Sequence, residues 1–441
     1  MKKFLLFLVA FLITLPSFAR YFGYEHNDLI LKCTVISEDD KTVSVSKSSD
    51  SISGDLEIPA KVTDGESDYT VISIDKHGFG SCKNLTAVII PESVASIGEN
   101  AFAGCSYLSY VGINGKDVSI GNYAFYNCPR LYTVKCQGVS SIGYEAFRSC
   151  TMLPEISFPE GLTSIGENAF YECKQLTSAS LPTGLTSIGD KAFYSCTNLT
   201  TISLLEGLTS IGNNAFEKCK NLGTISLPKG LTSIGEYAFS ECGLTSISLP
   251  EGLTSLKPGT FYRCSELTSV SLPESLDSIK YYAFMSCRKL TSIDLPDELT
   301  FIDFRVFENC TALTSVKLPA NLTILSFDAF SECNALESIY YLADILATGC
   351  SESAFSLEAT MKATLYLTEE GMKQSSEVSP WNMFKNIKQY DPSGIDDVEV
   401  DVNSAPIEYF NLNGVRINGD IHSPGIYIKR QGGKSEKILV K

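Results

Sequence analysis

The feature that most constrains this chain is a phenylalanine and a cysteine, three residues apart, that recur twelve times in succession. Each cysteine follows the previous one after 22 or 23 residues, from Cys82 to Cys333. A period this short is typical of a solenoid, in which each repeat buries its apolar face only by stacking on its neighbours. The rule of about 150 residues per domain, which would divide 441 residues into three domains, therefore does not apply to most of the chain. The phenylalanines are Phe79, Phe102, Phe125, Phe147, Phe170, Phe193, Phe216, Phe239, Phe261, Phe284, Phe307 and Phe330.

One repeat, residues 176–198, reads LTSASLPTGLTSIGDKAFYSCTN. Its opening has the spacing L-x-x-L-x-L, which predicts a short strand with aliphatic side chains inward and Ser or Thr outward. Pro-x-Gly then predicts a corner, Leu-Thr-Ser-Ile a second extended piece, and Gly-x-x-Ala-Phe a tight or helical turn. We therefore predict a leucine-rich repeat solenoid, β-rich with short helical turns, with about 12–13 repeats of 22–23 residues.

The register of these repeats resembles the bacterial BspA-like, or treponemal-type, leucine-rich repeat family. The family pattern L-P-x-x-L-x-x-I-G-x-x-A-F-x-x-C is reproduced from Leu181 to Cys196, and the resemblance covers about residues 68–367. It implies a cell-surface protein that adheres to host extracellular matrix proteins or to other cells. Departures from the pattern are expected to bend or loosen single coils. They are Lys257, Lys280 and Asp303 in place of Gly, and Leu205 in place of Pro.

The N-terminus has the pattern of a secretory signal peptide. Lys2 and Lys3 precede an apolar run, and the small residues Ser17 and Ala19 favour cleavage after Ala19. No cysteine lies beside that point, so a lipoprotein is disfavoured, and no later apolar stretch reaches the roughly 18 residues of a membrane span. The sequence therefore predicts a secreted or cell-surface protein that interacts with a host.

Composition changes divide the rest of the chain. Residues 20–67 contain alternating stretches that predict an N-terminal β cap, and residues 68–367 form the solenoid. Residues 368–390, with the only tryptophan, Trp381, predict a C-terminal cap. The polar, acidic residues 391–405 predict a linker. Residues 406–441 predict a small β module that resembles the C-terminal secretion or sorting modules of exported Bacteroidetes proteins.

The fifteen cysteines are best explained by the repeat. Twelve occupy one position per coil, where thiolates in a line form no tetrahedral zinc site and parallel side chains disfavour disulfides. We therefore expect buried, unpaired thiols, although disulfides between neighbouring coils remain the alternative. Cys136 and Cys350 take the places of core aliphatic residues, and Cys33 belongs to the N-terminal cap.

The sequence offers little material for catalysis or for cofactors. The formal charge is −16 without a basic stripe, which argues against nucleic acid as a ligand. Only His26, His77 and His422 are available for a metal site or a catalytic triad, and no cofactor motif is present. We therefore predict a non-enzymatic protein with no catalytic residues, no cofactor and no metal.

The outward positions of the strands suggest where a partner binds. They are Ser or Thr in most coils, as at Ser178 and Ser180, and this pattern is interrupted toward the ends of the solenoid. The interrupting residues, which form the candidate binding surface for a protein ligand, are Tyr110, Lys135, Asp294, Lys317 and Tyr340. One alternative is a carbohydrate-binding module that stacks sugars on Tyr126, Tyr171, Tyr194 and Tyr262. A second alternative is a structural spacer that displays the C-terminal module.

Overall fold

A computed structural model describes residues 20–27, 29–49 and 52–391, together with four strands near the C-terminus. The chain divides into two compact units, Met1–Lys388 and Gln389–Lys441. The signal peptide predicted for residues 1–19 and almost all of the linker predicted for residues 391–405 lie outside the described residues.

The first unit is built from repeating coils, and each coil crosses three sides of the solenoid in turn. The first side carries a long strand from the L-x-x-L-x-L segment, and we call it the long-strand face. The second carries a short strand, usually Ser-Ile, and is the short-strand face. The third carries hydrogen-bonded turns with the repeated phenylalanine and cysteine, and is the Phe–Cys side. The predicted solenoid is confirmed, and the turns take the tight form.

Within each sheet of the long-strand face, strands of successive coils pair in parallel and in register, for example Ser178 with Thr201 and Ala179 with Ile202. Because side chains alternate along a strand, Ala179 and Ile202 are buried while Thr201 is exposed. The long strands are Asn84–Ile90, Tyr110–Ile113, Thr133–Cys136, Glu155–Ser157, Ser178–Ser180, Thr201–Ser203, Ser246–Ser248, Ser269–Ser271, Ser292–Asp294, Ser315–Leu318, Ser338–Tyr341, Thr364–Leu367 and Asn386–Gln389.

Short strands form a second set of parallel sheets, in which the isoleucine of each coil is buried beside that of the next. Cys350 pairs with Leu325 and takes the isoleucine position in its coil, as predicted. The short strands are Ser96–Ile97, Val118–Ile120, Val139–Ile142, Ser164–Ile165, Ser187–Ile188, Ser210–Ile211, Ser233–Ile234, Ser255–Leu256, Ser278–Ile279, Phe301–Ile302, Ile324–Leu325 and Gly349–Cys350.

On the Phe–Cys side the turns are joined to the next coil by backbone hydrogen bonds, such as Phe170 N–H to the carbonyl of Ala192 at 2.8 Å. The chain turns so tightly that two residues per coil have left-handed backbones, for example Asn168 at φ 56° and Glu172 at φ 58°. Glycine fills these two positions only at Gly104 and Gly259. The repeated phenylalanines form one column, whose ring centroids are 5.0 to 5.8 Å apart from Phe79 to Phe355.

Both faces are interrupted together in the middle of the solenoid, whereas the long-strand face alone is also divided after Thr133–Cys136 and after Ser269–Ser271. The repeat predicts a strand at residues 224–226, but the structure has none there, and Ile225 and Leu227 are only partly buried. The coil that follows lacks one residue: Gly243 alone separates Cys242 from Leu244, whereas other coils have two residues in this place. The next long strand therefore begins one residue closer to the preceding cysteine than in other coils. The short-strand sheet also stops at Ser233–Ile234 and begins again at Ser255–Leu256.

Six strands precede the first regular coil and continue both sheets toward the N-terminus. Asp68–Ile74 pairs in parallel with Ser96–Ile97, and Ser53–Glu57 pairs in parallel with Asn84–Ile90. The three strands at the N-terminal edge run antiparallel to each other. The six strands are Tyr21–His26, Leu29–Ser37, Thr42–Lys47, Ser53–Glu57, Lys61–Thr63 and Asp68–Ile74.

The C-terminal end of the first unit contains the helices Leu357–Lys362 and Glu369–Gln374 and the 3-10 helix Trp381–Met383. Trp381 is fully buried, lies 4.7 Å from the ring of Tyr341, and donates its indole N–H to the carbonyl of Ala347 at 3.1 Å. Phe384 packs edge-on against Phe355, the last ring of the phenylalanine column, at 5.3 Å. These aromatic rings close the end of the core.

The second unit contains an antiparallel sheet of four described strands. The longest two strands pair along their whole lengths, from Gly425 opposite Val440 to Gln431 opposite Lys434. The strands are Glu408–Phe410, Arg416–Ile417, Gly425–Gln431 and Lys434–Val440.

Candidate binding surface

The long-strand face presents two outward rows of side chains, because each strand exposes every second residue. In the second row, serine occupies six successive coils in the middle of the solenoid. This row is a regular polar surface with little to distinguish one coil from the next. The serines are Ser157, Ser180, Ser203, Ser226, Ser248 and Ser271.

Three of the predicted residues follow this row of serines and lie on adjacent strands. Asp294 is paired with Lys317, and Lys317 with Tyr340, in the parallel register of the sheet. The next strand adds Tyr366 opposite Tyr340. An anion, a cation and two aromatic rings are therefore brought together in consecutive coils, about 4.8 Å apart along the sheet.

The contacts within this group leave polar atoms at the surface. The ammonium of Lys317 lies 3.5 Å from a carboxylate oxygen of Asp297, and both side chains are substantially exposed. A pair this exposed contributes at most about 1 kcal/mol to folding. The rings of Tyr340 and Tyr366 stack at 4.8 Å with an interplanar angle of 12°. Asp294 is exposed.

Tyr110 and Lys135 lie at the other end of the face. Tyr110 is opposite Thr133 in the first row, whereas Lys135 is opposite Gly112 in the second row. Lys135 precedes Asp294 by seven coils, which corresponds to roughly 34 Å along the sheet. Lys135 instead borders a depression of about 630 Å³ that also contains Tyr132 and Glu155. The five predicted residues are thus not a single cluster.

Two of the four tyrosines suggested for sugar stacking, Tyr171 and Tyr194, have their ring faces covered by neighbouring side chains. Tyr171 and Tyr194 stack on each other at 4.6 Å. The guanidinium of Arg148, in the preceding coil, lies over Tyr171 at 4.6 Å, and the ammonium of Lys218, in the following coil, lies over Tyr194 at 4.9 Å. Both ring faces are therefore covered, and this arrangement disfavours the carbohydrate alternative.

All fifteen cysteines are free thiols in the structure, and every one except the half-buried Cys350 is buried. Each ladder thiol from Cys105 onward donates to the carbonyl of the phenylalanine in the preceding coil, as Cys196 does to Phe170 at 3.2 Å. Burial raises the pKa of Cys105 and of Cys264 to about 12. At neutral pH these thiols are therefore protonated and unreactive.

Tyr366 is the member of the group that the sequence analysis missed. Residues 364–367 end the predicted solenoid without a complete repeat, and the structure pairs Thr364–Leu367 with Ser338–Tyr341 as a further long strand. The alternation of its residues, with Leu365 and Leu367 buried, was the available signal. Among the described residues, no group of three or more His, Cys, Asp or Glu side chains is arranged to hold a metal ion.

Comparisons with known proteins agree with this architecture. The family model of the BspA type leucine rich repeat region matches in six copies, over residues 60–150, 119–245 and 232–362. These matches span well over half of the chain. The chain belongs to this family. A search of curated proteins found no match to this BspA-type chain.

Two solved structures are similar to this BspA-type protein. A leucine-rich repeat protein from Bacteroides ovatus is 27% identical, with a TM-score of 0.51, and the match covers 82% of this chain and 98% of the other. A leucine rich cell surface protein from Faecalibacterium prausnitzii is 29% identical, with a TM-score of 0.48, and the match covers 73% of this chain and 94% of the other. Within the part of the chain that the structure describes, no helix is long and apolar enough to cross a membrane.

Proposed function

We propose that this BspA-type chain is a non-enzymatic protein that binds a protein partner through the C-terminal part of its long-strand face. The observation that carries the proposal is the row formed by Asp294, Lys317 and Tyr340, which replaces a run of serines with an anion, a cation and an aromatic ring. Charged groups of both signs give orientation and partner choice, and tyrosine supplies contact area at a low entropic cost. The rows of serines provide neither charged groups nor an aromatic ring.

The proposed partner is a host extracellular matrix protein or another cell-surface protein. Membership in the BspA-type family is consistent with protein binding, and the resemblance of the repeats to this family implies adhesion. The proposed site is rigid, because its three residues stand on hydrogen-bonded strands rather than on loops.

The test is a binding assay at physiological salt on immobilised collagen, laminin and fibronectin. The face variant carries Asp294→Ser, Lys317→Ser and Tyr340→Ser, which install the residue that the repeat uses in this row. We expect it to bind at least about tenfold more weakly than the unaltered chain. The control variant, Tyr110→Ser with Lys135→Ser, alters the far end of the same face and should bind normally. Equal losses in both variants, or no binding by the unaltered chain, would contradict the proposal.

We also propose that the chain is exported and that its signal peptide is removed after Ala19. The first residue that would remain is already part of the fold: the carbonyl of Arg20 accepts a hydrogen bond from Val35 N–H at 2.8 Å, and its guanidinium bonds Glu38 at 2.8 Å. Tyr69 also donates to Glu38, at 2.8 Å. Mass spectrometry of the exported protein should find Arg20 at its N-terminus, and a retained leader would contradict the proposal.

A further inference from the structure

A second interruption of the repeat lies on the short-strand face. The outward residue of the short strand is serine in ten successive coils, including Ser255 and Ser278, and the register then places Phe301 and Ile324 in the same row. Ile324 is 42% exposed. Because this position is solvated, replacing serine by a large apolar residue does not improve the packing of the core. The remaining serines of the row are Ser73, Ser96, Ser119, Ser141, Ser164, Ser187, Ser210 and Ser233.

A neighbouring row changes in the same coils. Three residues before the column phenylalanine stand Tyr281, Phe304 and Phe327, whose rings stack at 5.1 Å with interplanar angles of 7°. Phe327 is 49% exposed. Most earlier coils have a polar residue at this position: Glu99, Asn122, Glu167, Asp190, Asn213 and Glu236. We call Tyr281, Phe301, Phe304, Ile324 and Phe327 the apolar patch.

In the coils of the patch, the residue that follows the buried aliphatic residue of the short strand can carry a side chain. In earlier coils this residue is glycine because there is no space for one. A Cβ at Gly166, for example, would lie 2.7 Å from the carbonyl carbon of Gly143, so those coils require glycine. After the interruption of the sheet, the equivalent positions hold Lys257, Lys280 and Asp303. The ammonium of Lys280 lies 5.6 Å from the centre of the Phe301 ring. Among the described residues, neither Lys257 nor Lys280 has an ion-pair partner. Lys280 therefore places an unpaired cation beside Phe301, Lys257 stands one coil further toward the N-terminus, and the Asp303 carboxylate accepts the backbone N–H of Phe304 at 2.8 Å.

The orientation of the rings restricts what can bind. Because Tyr281 and Phe327 stack on the two faces of Phe304, the middle ring has no free face for a sugar and can present only its edge. Ring edges carry partial positive charge, and together with the two lysines they favour carboxylate and carbonyl oxygens. The patch spans three coils, on the order of 15 Å, which is too small for the roughly 800 Å² that each partner buries in a stable domain interface.

We propose that the apolar patch binds a short, extended segment of another polypeptide, with apolar side chains on the rings and carboxylates beside Lys257 and Lys280. This inference rests on the proposed function only in that both assign protein binding to the chain. It assigns a different face and a different kind of partner, a linear segment in place of a folded surface.

The test selects ligands from a phage-displayed library of random linear peptides on the unaltered chain, and measures synthetic copies of the enriched peptides by fluorescence anisotropy. The patch variant carries Phe301→Ser, Ile324→Ser, Phe304→Asn and Phe327→Asn, all residues that other coils use at these positions. A charge variant carries Lys257→Gln and Lys280→Gln. The face variant on the long-strand face serves as the control. Circular dichroism checks the fold of each variant, and Phe327→Asn alone replaces the patch variant if that variant unfolds.

We expect the enriched peptides to combine apolar with acidic residues. The patch variant should bind them at least about tenfold more weakly, and the charge variant about threefold more weakly with a smaller dependence on salt. The face variant should bind the peptides as the unaltered chain does.

The proposal is wrong if no peptide is enriched, or if the patch variant binds the peptides unchanged. It is also wrong if sedimentation shows a dimer of the unaltered chain that the patch variant abolishes, because the occupant is then a second copy. Failure of the matrix-protein assay alone would overturn the proposed function and leave this proposal standing.

Discussion

At the scale of single residues, each ladder cysteine acts as a small buried side chain and as a hydrogen-bond donor. The carbonyl of Phe170 accepts the N–H of Cys173 in its own coil at 3.1 Å and the thiol of Cys196 from the next coil at 3.2 Å. Their burial could be predicted from the sequence, because one cysteine recurs in every coil. The second hydrogen bond could not be predicted, since it joins residues 26 positions apart and depends on how closely the coils stack.

The thiols predict that the solenoid loses stability in alkali. Burial raises the pKa of Cys105 and Cys264 from about 9 to about 12. Below pH 9 the folded and unfolded states both keep these protons, so the thiols cause no pH dependence. Between about pH 9 and pH 12 the unfolded chain releases protons that the folded chain keeps, and each such thiol lowers the free energy of unfolding by about 1.4 kcal/mol per pH unit. Urea unfolding at pH 8, 9.5 and 10.5 measures this slope.

The matched variant is Cys173→Ala with Cys196→Ala. It should be less stable at pH 8, because two cavities form and two hydrogen bonds are lost, yet its stability should fall less steeply above pH 9. Tyrosine and lysine titrate in the same range in both proteins, so only the difference between the slopes reports the thiols. Identical slopes would show that these cysteines do not ionise on unfolding.

At the scale of the coil, the sequence predicts the order of the strands and turns and which of their side chains are buried. It predicts less well where a strand is lost. Phe170, Cys173 and Leu176 are buried as the repeat requires, and Asp294, Lys317 and Tyr340 follow one another as the register requires. The loss of the strand at residues 224–226 could not be predicted from the spacing of 22 residues between Cys242 and Cys264, because the same spacing separates Cys128 from Cys150, where the strand Thr133–Cys136 is present. The apolar patch was missed because its residues are unusual only when aligned with the serines of other short strands.

Inserting one asparagine between Cys242 and Gly243 should restore the register of the interrupted coil. The strand at residues 224–226 could then pair on both sides, and Ile225 and Leu227 could become fully buried. We expect an increase in stability of about 1–2 kcal/mol, measured as a higher midpoint of thermal unfolding by circular dichroism. The same insertion between Cys196 and Thr197, in a coil of normal length, is the control and should lower the midpoint. A lower midpoint for both insertions would show that the shortened coil is already optimal.

At the scale of the whole solenoid, stability depends on contacts between neighbouring coils. An interruption therefore weakens the coupling between the coils that precede it and the coils that follow it. Backbone hydrogen bonds of the Phe–Cys side continue across the interruption, as from Phe239 to Thr260 at 3.0 Å, but both sheets stop there. The stacking distance from Phe239 to Phe261, 5.8 Å, is the largest in the phenylalanine column. The coils on either side therefore form two blocks joined mainly through one side.

Trp381, the only tryptophan, allows the unfolding of the C-terminal block to be measured separately. That block has fewer coils, so we expect its tryptophan fluorescence to change at a lower urea concentration than the circular dichroism of the whole chain. Peptides from the N-terminal block should keep their protection from hydrogen exchange at that concentration. The asparagine insertion after Cys242 should bring the two transitions together, because it rejoins the sheets. If the two signals coincide in the unaltered chain, the Phe–Cys side alone couples the blocks, and the interruption is only a local irregularity.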